Sequence, residues 1–194
     1  MRVRLLIILL LVGIIPLNLL KHGILENYEK QAITQRASQI RSQCQMISEQ
    51  LCDSDYIHGK SSKLIETEIT QLGSLYSGRV VIVNSNFRII RDTYGIDEDK
   101  IIVAEEVLQC FQGVDSDNYN SSDDFLEVTV PVRDDVTREM IGVMIISVPT
   151  TDIREGRSAL GSTVFVLQAV LILAVLAVAF YAARLLVKPF GKVT

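Results

Sequence analysis

Two short stretches of this sequence carry side chains suited to holding a small ligand. The run "IIRDTYG" brings Arg91, Asp92 and Tyr94 together at the end of a β-rich segment, and "PVRDD" places Arg133 at the end of another. A guanidinium at a strand end can hold a carboxylate through two parallel hydrogen bonds, so a small acid is the ligand class these residues suit. Surface ion pairs would use the same groups, and Arg91 and Asp92 are already neighbours. The loop "DSDNYNSSDD" raises calcium. Asp115 and Asp117 have the alternation of a cation loop, but Asn120 stands at the turn-glycine position and Leu126 where a closing glutamate is needed. A solvated acidic loop is the plainer reading, with Asp115 and Asp117 as the only donors left to a loosely held divalent ion.

For catalysis the sequence offers little. The two histidines, His22 and His58, stand apart, and neither a Ser–His–Asp set nor a glycine-rich phosphate loop is visible. The chain itself is expected to catalyse nothing and to need no cofactor. Its three cysteines, Cys44, Cys52 and Cys110, are too few for a stapled scaffold. Cys44 and Cys52 are eight residues apart on an expected helix, ~12 Å along its axis, beyond the ~7 Å reach of a disulfide. Free thiols, a Cys52–Cys110 bridge and a Cys44–Cys44 link between two copies are the open alternatives.

The elements that must position these groups lie between two apolar runs, residues 5–20 and 164–183. A membrane helix needs roughly 20 apolar residues to cross a ~30 Å core, which the second run meets; the first is shorter and holds Pro16 and Asn18. A signal peptide competes for the first run, but "PLNLLKHGILENYEK" has no small-x-small cleavage site, so an uncleaved anchor is expected. All 23 acidic residues lie within residues 21–158, whereas five of the 19 basic ones (Arg2, Arg4, Arg184, Lys188 and Lys192) lie outside it. The middle segment thus carries −9 and both ends are basic. Lys and Arg stay on the cytoplasmic side of inserted helices, so both termini are expected inside and the middle outside. A surface of −9 also excludes nucleic acid as a partner.

Residues 24–51 read as one long helix. Ile33, Ala37, Ile40, Cys44, Ile47 and Leu51 step 4, 3, 4, 3, 4, a heptad seam. Such a stripe can lie on a sheet or pair two copies; Ile33, Ala37, Ile40 and Cys44 are taken here as a dimer seam. "SKLIETEITQLGSLY" reads as a short amphipathic helix capped by Ser61 or Ser62. Residues 79–83 and 87–93 form a hairpin around "NSN". Residues 97–111 look helical, with Asp97 and Asp99 near the N-terminus where the dipole favours acids. Residues 112–124 read as an exposed loop. "FLEVTVPVRDD" and "VTREMIGVMIISVPT" are two strands, the second apolar on both faces as a central strand would be. The fold class is α+β: a mostly antiparallel sheet with helices on its faces.

This order of elements, held between two membrane helices, resembles the extracytoplasmic PAS-like domains of bacterial sensors, of the single Cache type. "VVIVNSNFRIIRDT" looks like that family's strand, turn and strand ending in Asp-Thr, and "VTVPVRDDVTREMIGVMIISVP" like its closing hairpin. At the far end, "VKPFGKVT" is similar to the start of a HAMP linker, with Pro189, Phe190 and Val193 opening its first helix. The resemblance implies a cytoplasmic tip and first membrane helix over 1–23, a sensor domain over 24–158, a second membrane helix over 159–184 and a HAMP start at 185–194. It implies a PAS-like sheet with a long N-terminal helix, holding its ligand between the sheet and the loops after its strands. It further implies the sensory part of a two-component histidine kinase: a homodimer in membrane lipid, responding to an unknown extracytoplasmic small ligand or partner protein. ATP and Mg would serve only a kinase module further along, whose partner is a response regulator. A chemoreceptor, a cyclic-dinucleotide enzyme and a tethered binding module without enzymatic output are the alternative outputs.

Overall fold

The computed structural model describes residues 2–53, 56–58, 60, 62–113, 116–120, 124–134 and 137–187. It divides into two compact units, Gln31–Asp152 and a second made of Met1–Lys30 with Ile153–Thr194. In chain order the helices and strands are α1 (Arg2–Asp53), α2 (Lys63–Leu75), β1 (Arg79–Asn84), β2 (Ile89–Asp92), α3 (Glu105–Phe111), β3 (Ser116–Asn120), β4 (Phe125–Arg133), β5 (Met140–Pro149) and α4 (Thr151–Val187), with a 3₁₀ turn at Tyr56–His58.

Within Gln31–Asp152 the strands form one sheet, ordered β2-β1-β5-β4-β3, every pair antiparallel. As its pattern required, β5 is central, and residues 142–146 are buried on both faces. The register sorts the side chains. Val80, Ile82, Leu126, Val128, Val130, Val132, Met144, Ile146 and Val148 share one face, none more than 1% exposed. The 3₁₀ turn and both α1 and α2 cover this face: Ile57 packs on Gly142, α2 lies on β1, and α1 lies beside α2 and β4. The opposite face carries Val81, Val83, Ile89, Val143 and Ile145 under Val107 and Cys110 of α3, closed by Phe87 and Phe111 edge to face at 5.0 Å.

The stripe on α1 belongs to this core. Ile33, Ala37, Ile40 and Cys44, expected as a seam between two copies, are buried within one chain at 9, 4, 0 and 0% exposure, followed by Ile47 and Leu51. A 4-3-4-3 spacing makes one apolar face whatever covers it, and here the chain's own domain covers it.

Three further expectations are corrected. The helix anticipated over 97–111 is only Glu105–Phe111. Asp92 captures the N–H groups of Tyr94, Ile96 and Asp97 in a turn, and residues 100–102 then run extended beside 87–89, with Ile89 N–H on Lys100 O and Ile102 N–H on Phe87 O. The loop over 112–124 contains a strand, Ser116–Asn120, paired with Phe125–Thr129. A polar edge strand has no apolar alternation for a sequence pattern to register, and polar edges deter pairing with other chains. Ser62 does occupy the α2 N-cap but makes no side-chain cap bond; Ser61 lies outside the described residues.

In the second unit, one helix among the described residues is long and apolar enough to cross a membrane, Thr151–Val178, with mean hydropathy 2.4 and none of its apolar window buried. An unburied helix of that composition is a membrane-associated element, not the core of a soluble domain. The first apolar run is helical as part of α1, with Pro16 inside it, and Asn18 satisfies its amide on the carbonyl of Ile14 at 3.0 Å. On α1, Glu29 pairs with Arg157 of α4 at 3.1 Å and Lys21 lies 5.4 Å over the Phe165 ring. A β-carbon on Gly156 would collide with the Tyr28 hydroxyl, so glycine lets the two helices approach there.

Candidate functional site

Of the four residues expected to bind ligand, Asp92 is the most constrained. It ends β2 opposite Val81, and its side chain is fully buried. Arg79, on the adjacent strand, donates to both its oxygens at 2.9 and 2.7 Å. The backbone amides of Tyr94, Ile96 and Asp97 add 3.0, 2.9 and 3.0 Å bonds. Arg79 hydrogen bonds hold this carboxyl well below the usual carboxylate range, aided by the amides and opposed by burial, and the arginine is raised in turn, chiefly by Asp92. Asp97 accepts from Arg79 at 2.5 Å and from Lys100 at 2.7 Å, and Arg91 donates to Glu98 at 3.0 Å. With these contacts made, Asp92 and Arg91 are engaged inside the protein. They form a clip pinning residues 93–100 to the sheet, and Tyr94 stands exposed beside it. Of the residues expected to bind ligand, Asp92 and Arg91 make structural contacts here, whereas Tyr94 lends the clip its backbone amide and keeps its ring exposed. Arg79 went unrecognised in the sequence because only the strand register brings it to an aspartate 13 positions away.

Arg133 lies elsewhere. Asp92 aligns through Val81 and Ile145 with Thr129, whereas Arg133 is four residues further along β4, beside Met140. The separation is about 13 Å along the strands and about 14 Å across three strand spacings, so the four residues form no common site.

Arg133 instead opens on a cleft of about 330 Å³ between α1 and the end of β4, lined also by Arg138, Gln45, Ser48, Glu49 and Pro131. Local sequence builds it. β3 stops opposite Thr129, so Pro131, which has no N–H to give, sits where no described strand asks for one. A register shift between Val132 and Arg133 re-aims the arginine. Asp134 then turns the chain, accepting from Thr137 N–H at 2.7 Å through its side chain and from Arg138 N–H at 2.9 Å through its carbonyl. Arg138 adopts φ 60° and lines the same cleft. Arg36, Arg41, Arg79, Arg88 and Arg91 each face a carboxylate. Arg133 and Arg138 face none among the described residues. Arg133 and Arg138 share the lining of the cleft with Ser48, Gln45 and Glu49, and the Arg133 guanidinium also comes close to Gly113, after α3; two arginines without a counter-charge suit an anion, and Glu49 suits a ligand that also carries a cationic group.

A larger groove of about 480 Å³ lies between α1 and α2, floored by Ile47 and Leu72 and bordered by Met46 and Leu75. Its one charged group, Glu68, faces the Gln50 side-chain amide. On the α3 face, Glu127 accepts from Ser147 at 3.1 Å, and its carboxyl is raised by burial, with Glu106 adding to the effect.

Asp117, one of the two expected cation donors, is on β3 and paired with Arg41 of α1; Asp115 lies outside the described residues. No cluster of three or more His, Cys, Asp or Glu able to hold a metal occurs among the described residues. Pro189, Phe190 and Val193 also lie outside them. Cys44, Cys52 and Cys110 form no disulfide with one another. Cys44 is on the α1 face of the sheet and Cys110 on the α3 face. Burial pushes the Cys44 thiol up to about 12, so thiolate is scarce at neutral pH. A water-soluble disulfide reagent is expected to titrate half-buried Cys52 first, and Cys44 and Cys110 only on unfolding. Rapid labelling of all three in the folded chain would contradict this burial.

No protein-family model matches the chain, and no curated protein matches it. Among solved structures, an extracellular ligand-binding receptor from Desulfohalobium retbaense shares the fold, with a TM-score of 0.50 at 14% identity over 71% of this chain and 26% of the receptor. The chain therefore spans about a quarter of that receptor's length. At that identity the likeness is one of fold: a long helix and an antiparallel five-stranded sheet arranged as in an extracellular receptor domain.

Proposed function

We propose that Gln31–Asp152 is the extracytoplasmic sensory domain of a membrane signalling protein, taking a small anion in the cleft at Arg133 and Arg138. The observation that carries this reading is the pair of arginines without carboxylate partners in a segment of net charge −9. The sharing of fold with an extracellular receptor domain supports a sensory role, and the residues expected to bind ligand are narrowed to Arg133 and the newly recognised Arg138.

In this reading residues 5–20 form a second membrane crossing, and both basic ends are cytoplasmic. α1 is helical without a break from Arg2 to Asp53, and only Thr150 separates the end of β5 from the start of α4. Ligand in the cleft touches both α1 and β4, so it can bias their packing, provided it favours one of two arrangements. The change would pass along α4 to Pro189, Phe190 and Val193 and on to a histidine kinase module.

Thermal unfolding of the chain in detergent, with acetate, succinate, citrate and phosphate in turn, tests the site. A ligand at 100 times its Kd adds about 2.7 kcal/mol of stability. At least one of these anions is expected to raise the midpoint, and R133A/R138A to abolish the rise. A rise that persists in the double variant, or no rise with any anion, overturns the site. Translating the gene beyond Thr194 tests the output: a phosphoacceptor histidine motif supports the kinase, whereas a long coiled coil or a cyclase motif replaces it.

A further inference from the structure

One row on the α3 face of the sheet is polar. Arg79, Ser147, Glu127 and Asn118 stand opposite one another across β1, β5, β4 and β3, and directly opposed residues share a face. Glu106 meets this row from α3, accepting from the Asn118 side-chain amide at 3.0 Å. Asn118 is therefore the cross-strand neighbour of one carboxylate and the donor to another. Both glutamates are half-buried, and none of the ion pairs among the described residues includes either. Ser147 gives Glu127 a neutral hydroxyl at 3.1 Å. Arg79, the cation of the row, lies two strands from Glu127 and already holds Asp92 and Asp97. The other titratable groups nearby are engaged elsewhere: Asp117 of β3 with Arg41, Glu105 of α3 with Gln109, and the Cys110 thiol within the apolar core.

We propose that Glu127 and Glu106 form a proton-operated latch that fastens α3 to the sheet. Ionised, they are like charges on the two sides of one helix–sheet contact, which loosens it. A single proton reverses this. A protonated carboxyl is a donor, and its bond to a carboxylate is of the short, strong kind. Burial raises the Glu127 carboxyl and Glu106 raises it further, against Ser147 and Arg79, so mild acid suffices to load the latch. The sign is opposite to that of Asp92. The folded chain binds this proton more readily than the unfolded chain does. The stabilisation is therefore complete below the ordinary glutamate value, ~4.3, and is lost as pH rises through the higher folded value. α3 leads into Gly113, close to the Arg133 guanidinium, so the latch acts on a wall of the cleft whatever ligand the cleft takes.

Amide hydrogen exchange of the full chain in detergent, at pH ~7.5 and ~5 with rates corrected for the intrinsic effect of pH, tests the latch. In wild type the α3 amides of residues 108–112 are expected to gain about threefold in protection at the lower pH. Glu127→Gln donates to Glu106 without needing a proton, so its α3 should be protected equally at both pH values. Glu106→Gln removes the like charge, and the rise in protection should then begin at lower pH than in wild type. Wild-type protection that does not rise, or a rise of the same size in Glu127→Gln, overturns the latch. Should Glu127→Gln fail to fold, Glu106→Gln decides: a rise at the same pH as in wild type overturns the pairing of the two carboxyls.

Discussion

Asp92→Asn is expected to destabilise the domain by about 3 kcal/mol, the usual cost of breaking a buried ion pair from one side. Asp92 has no exposed side-chain surface, and it accepts five hydrogen bonds, two from Arg79 and three from backbone amides. Asparagine keeps the shape but loses the charge and turns one acceptor into a donor. Arg79 retains Asp97, so the loss should stay near the lower end of the range for buried pairs. For a domain of this size the midpoint of thermal unfolding should fall by about 10 °C. The pH profile gives an independent sign. The folded carboxyl is held below its usual value, so the unfolded chain binds the proton more readily. The stabilisation is complete above the ordinary carboxylate value, ~4, and is lost as pH falls below it toward the lower folded-state value. Wild type should therefore lose more stability than Asp92→Asn on acidification below pH ~4. Equal acid profiles for the two proteins would show that the clip does not carry this charge.

Ile40→Ala should cost a similar amount, about 3 kcal/mol within the ~2–5 range for large-to-small core changes. Ile40 is fully buried near the middle of the stripe by which α1 joins the sheet. Truncation leaves a cavity between helix and sheet that neighbouring branched side chains fill poorly. The discriminating feature is concentration. If Ile40 packs inside one chain, the loss in midpoint is the same at every protein concentration. If it packed between copies, the loss would grow on dilution, because association stabilises by mass action. A concentration-dependent loss would return the buried stripe to a seam between copies.

The clip and the stripe also mark where sequence reasoning stops. The β1–β2 hairpin was legible because two β-rich runs flank a turn of Asn-Ser-Asn, and observed pairing follows it. The central position of β5 was legible because a strand covered on both faces has no polar alternation, and residues 142–146 have none. The short α3 was not legible. Asp97 and Asp99 look like helix-start acids, and nothing local announces that Asp92 takes the amides of Ile96 and Asp97 into a turn instead. β3 was hidden because "SDNYN" is placed in the sheet by backbone bonds to β4 and by polar contacts of Asp117 with Arg41 and Asn118 with Glu106, and neither kind of contact leaves an apolar alternation in the sequence. At the site, Arg133 stood out as an arginine at a strand end, whereas Arg138 shares its cleft only because the turn at Asp134 folds it back.

By itself the sequence determined the partition of charge, an apolar helix fit for a membrane, and the kinds of element between. Those follow from composition and period, which are local properties. The tertiary structure decided which neighbour each element meets: that the heptad stripe of α1 turns inward to the sheet, that Asp92 belongs to Arg79, and that Arg133 and Asp92 end far apart. Periodicity states that a face is apolar and an arginine states that it seeks an anion. Neither names the partner, because the partner is set by strand register and by the layer that happens to cover the face.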